Sequence, residues 1–552
     1  MLMSGNKAKS CGLVVAFAAA AVLVGASAAS AADMDNMVTK APPPPAAAAP
    51  ASCGSFYDFF LTACPLSWNG VTFYGTVDMG GTYQTHGTPF DPNFPTGASY
   101  LLGAGGGSAD GRNAGFGLGP NAMSQSNVGV KIKEPIGPGG WSFISQNELA
   151  FDPYSLLLSN APQAMQNGIG LTQTQALIPY DSSRWGWLAA TNVFGLSHPV
   201  FGTVTFGRQN DLNNDSLSIF DPFAGAYAFA LIEYSGKMAG GGGTEEARWT
   251  TGIKYRVNVG DLHFAVEGQP VTGSDAGYNS YNPNNGAIAG EAGWNIRNFG
   301  PGTLSLNVIG MYVRDAVNIG PAGWGTNAAT GLGTGIGAAY LKATLSDNTS
   351  FVAEARYDFG SWGNTPPPVV GKAPPVPSGP TGIPLSLYAG YEWIQLANPS
   401  DTQTSFRDDG FLFVNPNTTN TGGTPGFNGT TINNNAFNAS CGAAGGGCTA
   451  EIFQYAWAGA KYGITRDLDL IGAYYLEWQQ TFAVNGALCT VATLHSYCAG
   501  SMDVFSAALD WRFLPKWDTY IGLMYSVAYG GIANGDLFTN NLAVTGGVRF
   551  RF

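Results

Sequence analysis

From Trp68 to Phe552 the chain is built of short runs in which apolar and polar residues alternate. Successive strand residues point to opposite faces, so each run predicts a strand with one apolar and one polar face. The last twelve residues show this most cleanly. Leu542, Val544, Gly546, Val548, Phe550 and Phe552 fall on one face, and Asn541, Ala543, Thr545, Gly547, Arg549 and Arg551 on the other. The same reading sends Trp249, Thr251, Ile253, Tyr255 and Val257 outward, and Arg248, Thr250, Gly252, Lys254 and Arg256 inward. Val128, Val130 and Ile132 face out while Lys131 and Lys133 face in. Phe351, Ala353, Ala355, Tyr357 and Phe359 face out while Glu354, Arg356 and Asp358 face in. A lysine or arginine on a lipid face at mid-bilayer costs ~2–4 kcal/mol, so these charges require a wet interior.

Candidate strands are 68–83, 125–135, 140–151, 185–195, 200–208, 247–258, 261–269, 288–298, 302–315, 335–346, 349–360, 384–397, 451–463, 467–480, 501–513, 517–530 and 541–552. Short turns at Pro135–Gly140, Ser197–Pro199, Asn258–Gly260, Ser346–Thr349, Thr465–Asp467 and Pro515–Lys516 alternate with long loops rich in Gly, Asn, Ser and Pro. That alternation predicts an all-β fold: a transmembrane, antiparallel, up-and-down β-barrel with short periplasmic turns and long extracellular loops. Seventeen strands cannot return both chain ends to the periplasm. Tracking direction from each end puts the discrepancy between Ser361 and Ala450. Treating 384–397 as loop gives the preferred sixteen strands; pairing it with a weak strand near 409–415 gives eighteen.

The N-terminus agrees with export. Lys7 and Lys9 precede an apolar run from Leu13 to Ala26 and the cleavage pattern Ala29-Ser30-Ala31, so residues 1–31 are read as a signal peptide. That run is short of the ~20 residues a spanning helix needs, so membrane residence would have to be by barrel. Residues 32–52 form a Pro/Ala-rich periplasmic linker, and 53–552 the outer-membrane barrel. Charged residues are only 11% of the chain, against about 25% in soluble proteins. Cleavage would remove two lysines and no acid, turning the net charge of −12 into −14. An acidic chain without a basic cluster argues against nucleic acid as a partner.

Six cysteines follow the cleavage point in three local pairs: Cys53 with Cys64, Cys441 with Cys448, and Cys489 with Cys498. In an exported chain this favours disulfides, since a metal site would want CxxC spacing or more than four histidines. Trp68, Tyr74, Trp141, Trp185, Trp187, Trp249, Trp294, Tyr474, Trp478, Trp511, Trp517 and Tyr525 read mainly as belts at the membrane–water interface. A sugar-stacking track is the sharper alternative.

The terminal strand resembles the assembly signal of bacterial outer-membrane barrels, which implies that role for Phe550 and Phe552. The stretch Gly202-Thr-Val-Thr-Phe-Gly-Arg208-Gln209, a loop over about 210–246, and Arg248-Trp-Thr-Thr-Gly-Ile-Lys-Tyr resemble trimeric Gram-negative general diffusion porins. The turn-like Leu345-Ser-Asp-Asn-Thr-Ser-Phe and Ile464-Thr-Arg-Asp-Leu-Asp-Leu are similar to the family's periplasmic turns. Cys53 and Cys64 resemble an early cysteine pair of alphaproteobacterial porins. The resemblance covers 50–552 as scattered short matches; long loops at 81–125 and 398–450 depart from it. It implies a homotrimer without cofactor, embedded in outer-membrane lipid and lipopolysaccharide, passing small hydrophilic solutes and ions. It also implies a third loop folded into the barrel. Asp211, Asp215, Asp221 and Glu233 are then the acidic constriction candidates. Lys131, Lys133, Arg208, Arg248, Lys254 and Arg256 form the basic wall. Arg208 shares the phase of outward Val204 and Phe206, so it needs a bulge at Gly207 to face inward. The alternative for each charge is a solvated loop or wall residue without a role in selectivity, and it weighs less against the basic wall than against the loop acids.

Other chemistry finds little support. His263 near Glu267 lacks a serine motif, and His86, His198 and His495 fall in turns or loops. Asp211-Leu-Asn-Asn-Asp215 begins like a calcium loop but lacks its glycine and glutamate. A channel selective for anions or sugars, and a structural or adhesive barrel whose 398–450 loop binds a partner, are the alternatives to a diffusion porin. An enzyme is not expected.

Overall fold

The computed structural model describes residues 53–86, 114–156, 190–234, 248–270, 286–316, 346–362, 380–397, 451–481, 489, 498–531 and 539–552. Within them the alternating runs form one antiparallel sheet. Its strands are β1 (Leu66–Trp68), β2 (Val71–Gln84), β3 (Gly115–Leu118), β4 (Asn127–Pro135), β5 (Ser142–Ala150), β6 (Asn192–His198), β7 (Gly202–Asn210), β8 (Arg248–Val259) and β9 (Leu262–Gln269). The order continues with β10 (Ala287–Phe299), β11 (Gly302–Ala316), β12 (Ser346–Trp362), β13 (Pro380–Ala397), β14 (Glu451–Gly463), β15 (Leu468–Gln479), β16 (Gly500–Leu514), β17 (Trp517–Gly530) and β18 (Asn540–Arg551).

The sheet closes because β18 pairs with β17 on one side and with β2 on the other, Val548 lying opposite Met79. Closure pairs the backbone groups that a membrane core could not solvate. The closed wall has sixteen positions. β1 is a stub folded onto β2 through Asn69 and Gly70, whose φ angles of 44° and 76° suit a two-residue hairpin turn. β3 and β4 share one wall position: β4 pairs with the start of β2 and β3 with its end. The intervening residues 119–126 turn inward, which the reading of 81–125 as one long loop did not anticipate.

Sixteen strands are correct, but the surplus strand lies elsewhere than expected. Residues 384–397 are not loop; they belong to β13, paired with β12 and β14. The expected turn Ser346–Thr349, and with it the resemblance of 345–351 to a periplasmic turn, is overturned. Residues 346–351 open β12 and pair with β11 and β13. Asn348 and Ser350 are 1% and 3% exposed, and Ser350 accepts a hydrogen bond from Asn213 of the third loop. A strand lining a wet lumen needs polar residues at alternate positions, so its composition resembles that of a turn. The expected strand at 335–346 lies outside the described residues except at its last position, as does the whole of the weak strand near 409–415.

Outside the wall, the helix α1 (Phe56–Leu61) lies in a loop closed by the disulfide between Cys53 and Cys64. Cys489 and Cys498 form a second disulfide. Two of the three expected cysteine pairs are therefore bonded. The third expected disulfide, between Cys441 and Cys448, falls outside the described residues, because both Cys441 and Cys448 belong to the stretch 398–450.

Candidate functional site

The segment joining β7 to β8 is the third long connection, and its described part lies inside the barrel. Asp211 caps the helix α2 (Leu212–Phe220), its Oδ1 accepting the Asn214 amide at 2.7 Å. Leu212, Asn213, Ser216, Leu217 and Phe220 are buried. Their spacing puts them on one helical face, which packs against β7, β10, β12 and β13. Ser216 donates to Glu354 at 3.1 Å, and Asn307 donates to the same carboxylate at 3.2 Å.

Beyond α2 the chain turns tightly and reaches the far wall. Ala224 and Gly225 both have positive φ, and the Gly225 amide donates to Asp221 at 2.9 Å. Tyr475 of β15 donates its hydroxyl to Asp221 at 2.6 Å, and Trp457 of β14 donates its indole N–H to the Phe220 carbonyl at 3.1 Å. Phe229 stacks on Phe223 and meets Tyr520 edge-on. Gly522 leaves the room this ring needs, since a Cβ there would come within 2.7 Å of it. Burial pushes the Asp221 carboxyl up to about 6, against the hydrogen bonds from Tyr475 and Gly225. The last described turn of the loop is the short helix α3 (Leu231–Tyr234). It contains Glu233, whose side chain is outside the described residues.

The inward excursion at 119–126 meets this loop. The Ala228 amide donates to the Ala122 carbonyl at 2.8 Å, and Tyr227 donates to Gln125 at 3.4 Å. Buried Asp78 organises the excursion. It accepts the amides of Met123 and Ser124 at 2.7 and 2.8 Å and the Tyr520 hydroxyl at 2.6 Å.

The charge pattern differs from two rows facing one another across water. Lys254 bonds Asp215 at 2.7 Å, lies 3.4 Å from Glu267, and also donates to the Asn210 carbonyl. Arg256 bridges Asp215 at 2.7 Å and Glu291 at 3.0 Å. Thus β8 fastens the foot of α2 through Asp215. Burial works to raise the Asp215 carboxyl, but Lys254 and then Arg256 outweigh it and hold the group below the usual range. His263 lies 3.3 Å from Asn307 and 3.8 Å from Glu291, beside this cluster.

The other expected wall residues scatter. Lys131 lies opposite Thr72 and Gln146, with its ammonium 4.3 Å from the centre of the Tyr74 ring. Lys131 and Lys133 are both exposed. Arg208 is buried, where the outward phase of Phe206 would have exposed it. A two-against-one irregularity faces it: Gly207 pairs with Gly252 but Gln209 with Trp249. The bulge resets the phase of β8. Trp249, expected on the lipid face, is instead 1% exposed and joins the apolar cluster of Leu212 and Leu217. Arg248, opposite Asn210, leaves the row of Lys254 and Arg256.

Trp457 and Tyr475 were missed as loop anchors, although a signal was present. Trp457 shares its phase with Lys461, and Tyr475 with Asp469 and Glu477, all of which must face the lumen. Tyr74, expected in a belt, donates instead to Glu148 at 2.8 Å.

The family model described as Gram-negative porin matches residues 17–365. No curated protein matches the chain in sequence. Among solved structures, a loop-deletion mutant of the outer membrane protein OmpT of Vibrio cholerae is 12% identical, with a TM-score of 0.45 over 87% of this chain and 99% of that one. OmpF of Salmonella typhi is 11% identical, with a TM-score of 0.43 over 88% of this chain and 100% of that one. The channel DcaP of Acinetobacter baumannii is 11% identical, with a TM-score of 0.41 over 87% of this chain and 97% of that one. By the family match, which spans most of its length, this chain belongs to the Gram-negative porins, channel proteins of the outer membrane.

Proposed function

We propose that this porin passes small hydrophilic solutes and ions by passive diffusion, through a lumen narrowed by the third loop and the 119–126 excursion. The observation that carries this reading is the loop itself, which is fastened at one wall through Asp215 and at another through Asp221 and Phe229. A narrowing anchored at both ends restricts size without needing to move, and fixed charges beside it act strongly on passing ions because little water screens them. In this reading Asp211, Asp215 and Asp221 chiefly shape the constriction, with Glu233 at its continuation. Lys131 and Lys133 offer accessible positive charge, while Lys254 and Arg256 hold the loop and Arg208 and Arg248 complete the wall near its foot.

Single-channel recording in planar bilayers tests the proposal. A large, ohmic conductance that no single solute saturates is expected. Saturation by one class of anion or sugar would replace it with a selective channel, a reading that the second inward segment favours. Absence of conductance would point to a structural or adhesive barrel.

The functional unit in this proposal is a homotrimer within lipid and lipopolysaccharide, as one of the OmpT structures is described as a trimer form. Unboiled protein should run as an oligomer in SDS electrophoresis and collapse to monomer on boiling; identical mobility in both lanes would count against it. Deleting Phe552 should impair outer-membrane assembly while leaving export intact. Its main chain exchanges two hydrogen bonds with Gly75, both at 3.0 Å. Normal surface levels of the truncated protein would remove that role.

A further inference from the structure

We propose that the disulfide-closed segment Cys53–Cys64 is an interfacial anchor. It lays α1 on the outer wall of the barrel and presents Phe56 and Tyr57 to the headgroup–acyl boundary of the periplasmic phospholipid leaflet.

Strand phase establishes which side of the wall α1 covers. In β17 Ile521 and Leu523 are exposed, in β18 Val544 and Val548, and these are the lipid-facing rows. Trp517 belongs to the first row, Phe550 and Phe552 to the second. Phe59 meets Phe550 and Phe552 edge-on at 5.6 and 5.2 Å, while Phe60 stacks on Phe550 at 5.2 Å and on Trp517 at 6.3 Å. Phe550 is consequently only 8% exposed, where Val548 in the same row is 41% exposed. The helix therefore lies outside the barrel, at the end of the wall where short turns and the C-terminus collect.

A six-residue helix is not stable by itself. Here Ser55 caps it, accepting the Asp58 amide at 3.1 Å and donating to the Asp58 carboxylate at 2.8 Å. Lys516 donates to the carbonyls of Phe59 and Cys64 at 2.9 and 2.7 Å, and Trp517 donates to the Phe60 carbonyl at 3.0 Å. The disulfide joins the two ends of the segment.

What remains outward is aromatic: Phe56 is 78% exposed and Tyr57 72%. The one charged residue between the cysteines, Asp58, is engaged by Ser55. Continuity identifies the occupant of this face. Trp511, Phe513 and Trp517 form an unbroken lipid-facing aromatic row, with ring centres 5.8 and 6.5 Å apart, and Phe60 extends it onto α1. Rings carrying polar tips, and apolar rings beside them, favour the membrane–water boundary. A phospholipid leaflet thus fits this face better than an aqueous partner.

Photo-crosslinking tests the assignment. A benzophenone analogue of phenylalanine is placed at position 56, and separately at 57, in the full chain assembled in outer membranes, with Lys131 in the lumen as the reference position. Phospholipid adducts on single chains are expected at both positions, at least fivefold above the reference. Adducts to a second copy would make the face a protomer contact and overturn the proposal, as would adducts to a periplasmic protein or yields no higher than the reference. Replacing Cys53 and Cys64 together by Ser should lower the lipid adducts severalfold while the heat-modifiable oligomer persists. An unchanged yield would remove the disulfide from the anchor.

Discussion

At its foot, beside β8, the third loop is held by charge; at its far end, against β15 and β17, it is held by packed rings and single hydrogen bonds. The two ends should respond differently to damage. At the foot, two cations serve Asp215, Glu267 and Glu291 together, so losing them strands several carboxylates at once. At the far end each contact contributes separately, and the loop can loosen by degrees. Under the proposed function the foot also sets charge near the ion path, whereas the far end chiefly sets position.

The strongest break is Lys254→Met combined with Arg256→Met. Orphaning a buried ionic partner costs roughly 3–5 kcal/mol. Lys254 is in that class, while Arg256, with 38% of its side chain exposed, counts for less because water screens it. Conductance should rise, the oligomer should melt at lower temperature, and the reversal potential in a salt gradient should move towards cations. An unchanged reversal potential at low salt would place the pair off the ion path. Phe229→Ala comes next, since emptying a buried aromatic site costs ~3–5 kcal/mol where nothing collapses to fill it. Here current noise and conductance should increase while selectivity stays the same; a selectivity shift as large as that of the foot variant would erase the distinction between the two ends.

Tyr475→Phe sharpens the comparison with a smaller effect. It removes one donor to buried Asp221, worth about 1–3 kcal/mol, and should raise current noise without altering the melting of the oligomer. The smallest effect is on pH. Burial raises the Asp221 carboxyl to about 6, so the docked far end binds its proton more tightly than the unfolded chain does. Docking should therefore be firmer at pH 5 than at pH 7, weakening as pH rises through about 6. Cation preference should fall slightly over the same range on acidification, and Asp221→Asn should flatten both trends in bilayer recordings.

Much of this architecture is legible from local pattern. The phases of β4, β12 and β18 follow from single charges that lipid would reject, and the position of the third loop follows from counting strands. Legibility ends where one composition serves two structures. Asn348 and Ser350 look like turn residues, yet they line the lumen against Asn213. Phe453, Tyr455 and Trp457 look like a lipid face, yet they are buried inside, with Ala456, Ala458 and Ala460 on the opposite face of the strand. A lumen containing a packed loop offers apolar surface on both sides of the wall, so hydrophobicity alone no longer distinguishes in from out.

By itself, the sequence determined the alternation, the inward phase of Lys254 and Arg256, and the closing strand with its terminal phenylalanine. Each depends on neighbours a few residues apart and on the uniform penalty that hydrocarbon imposes on charge. The strand count reached sixteen only by discarding 384–397, which is a wall strand. Only the tertiary structure decided that Lys254 and Arg256 share Asp215, that a bulge turns Trp249 into the interior, and that Tyr475 receives Asp221 from a loop more than two hundred residues earlier. Those contacts arise where a closed wall brings distant strands around one cavity, and nothing in the local spacing encodes which side chains will meet across it.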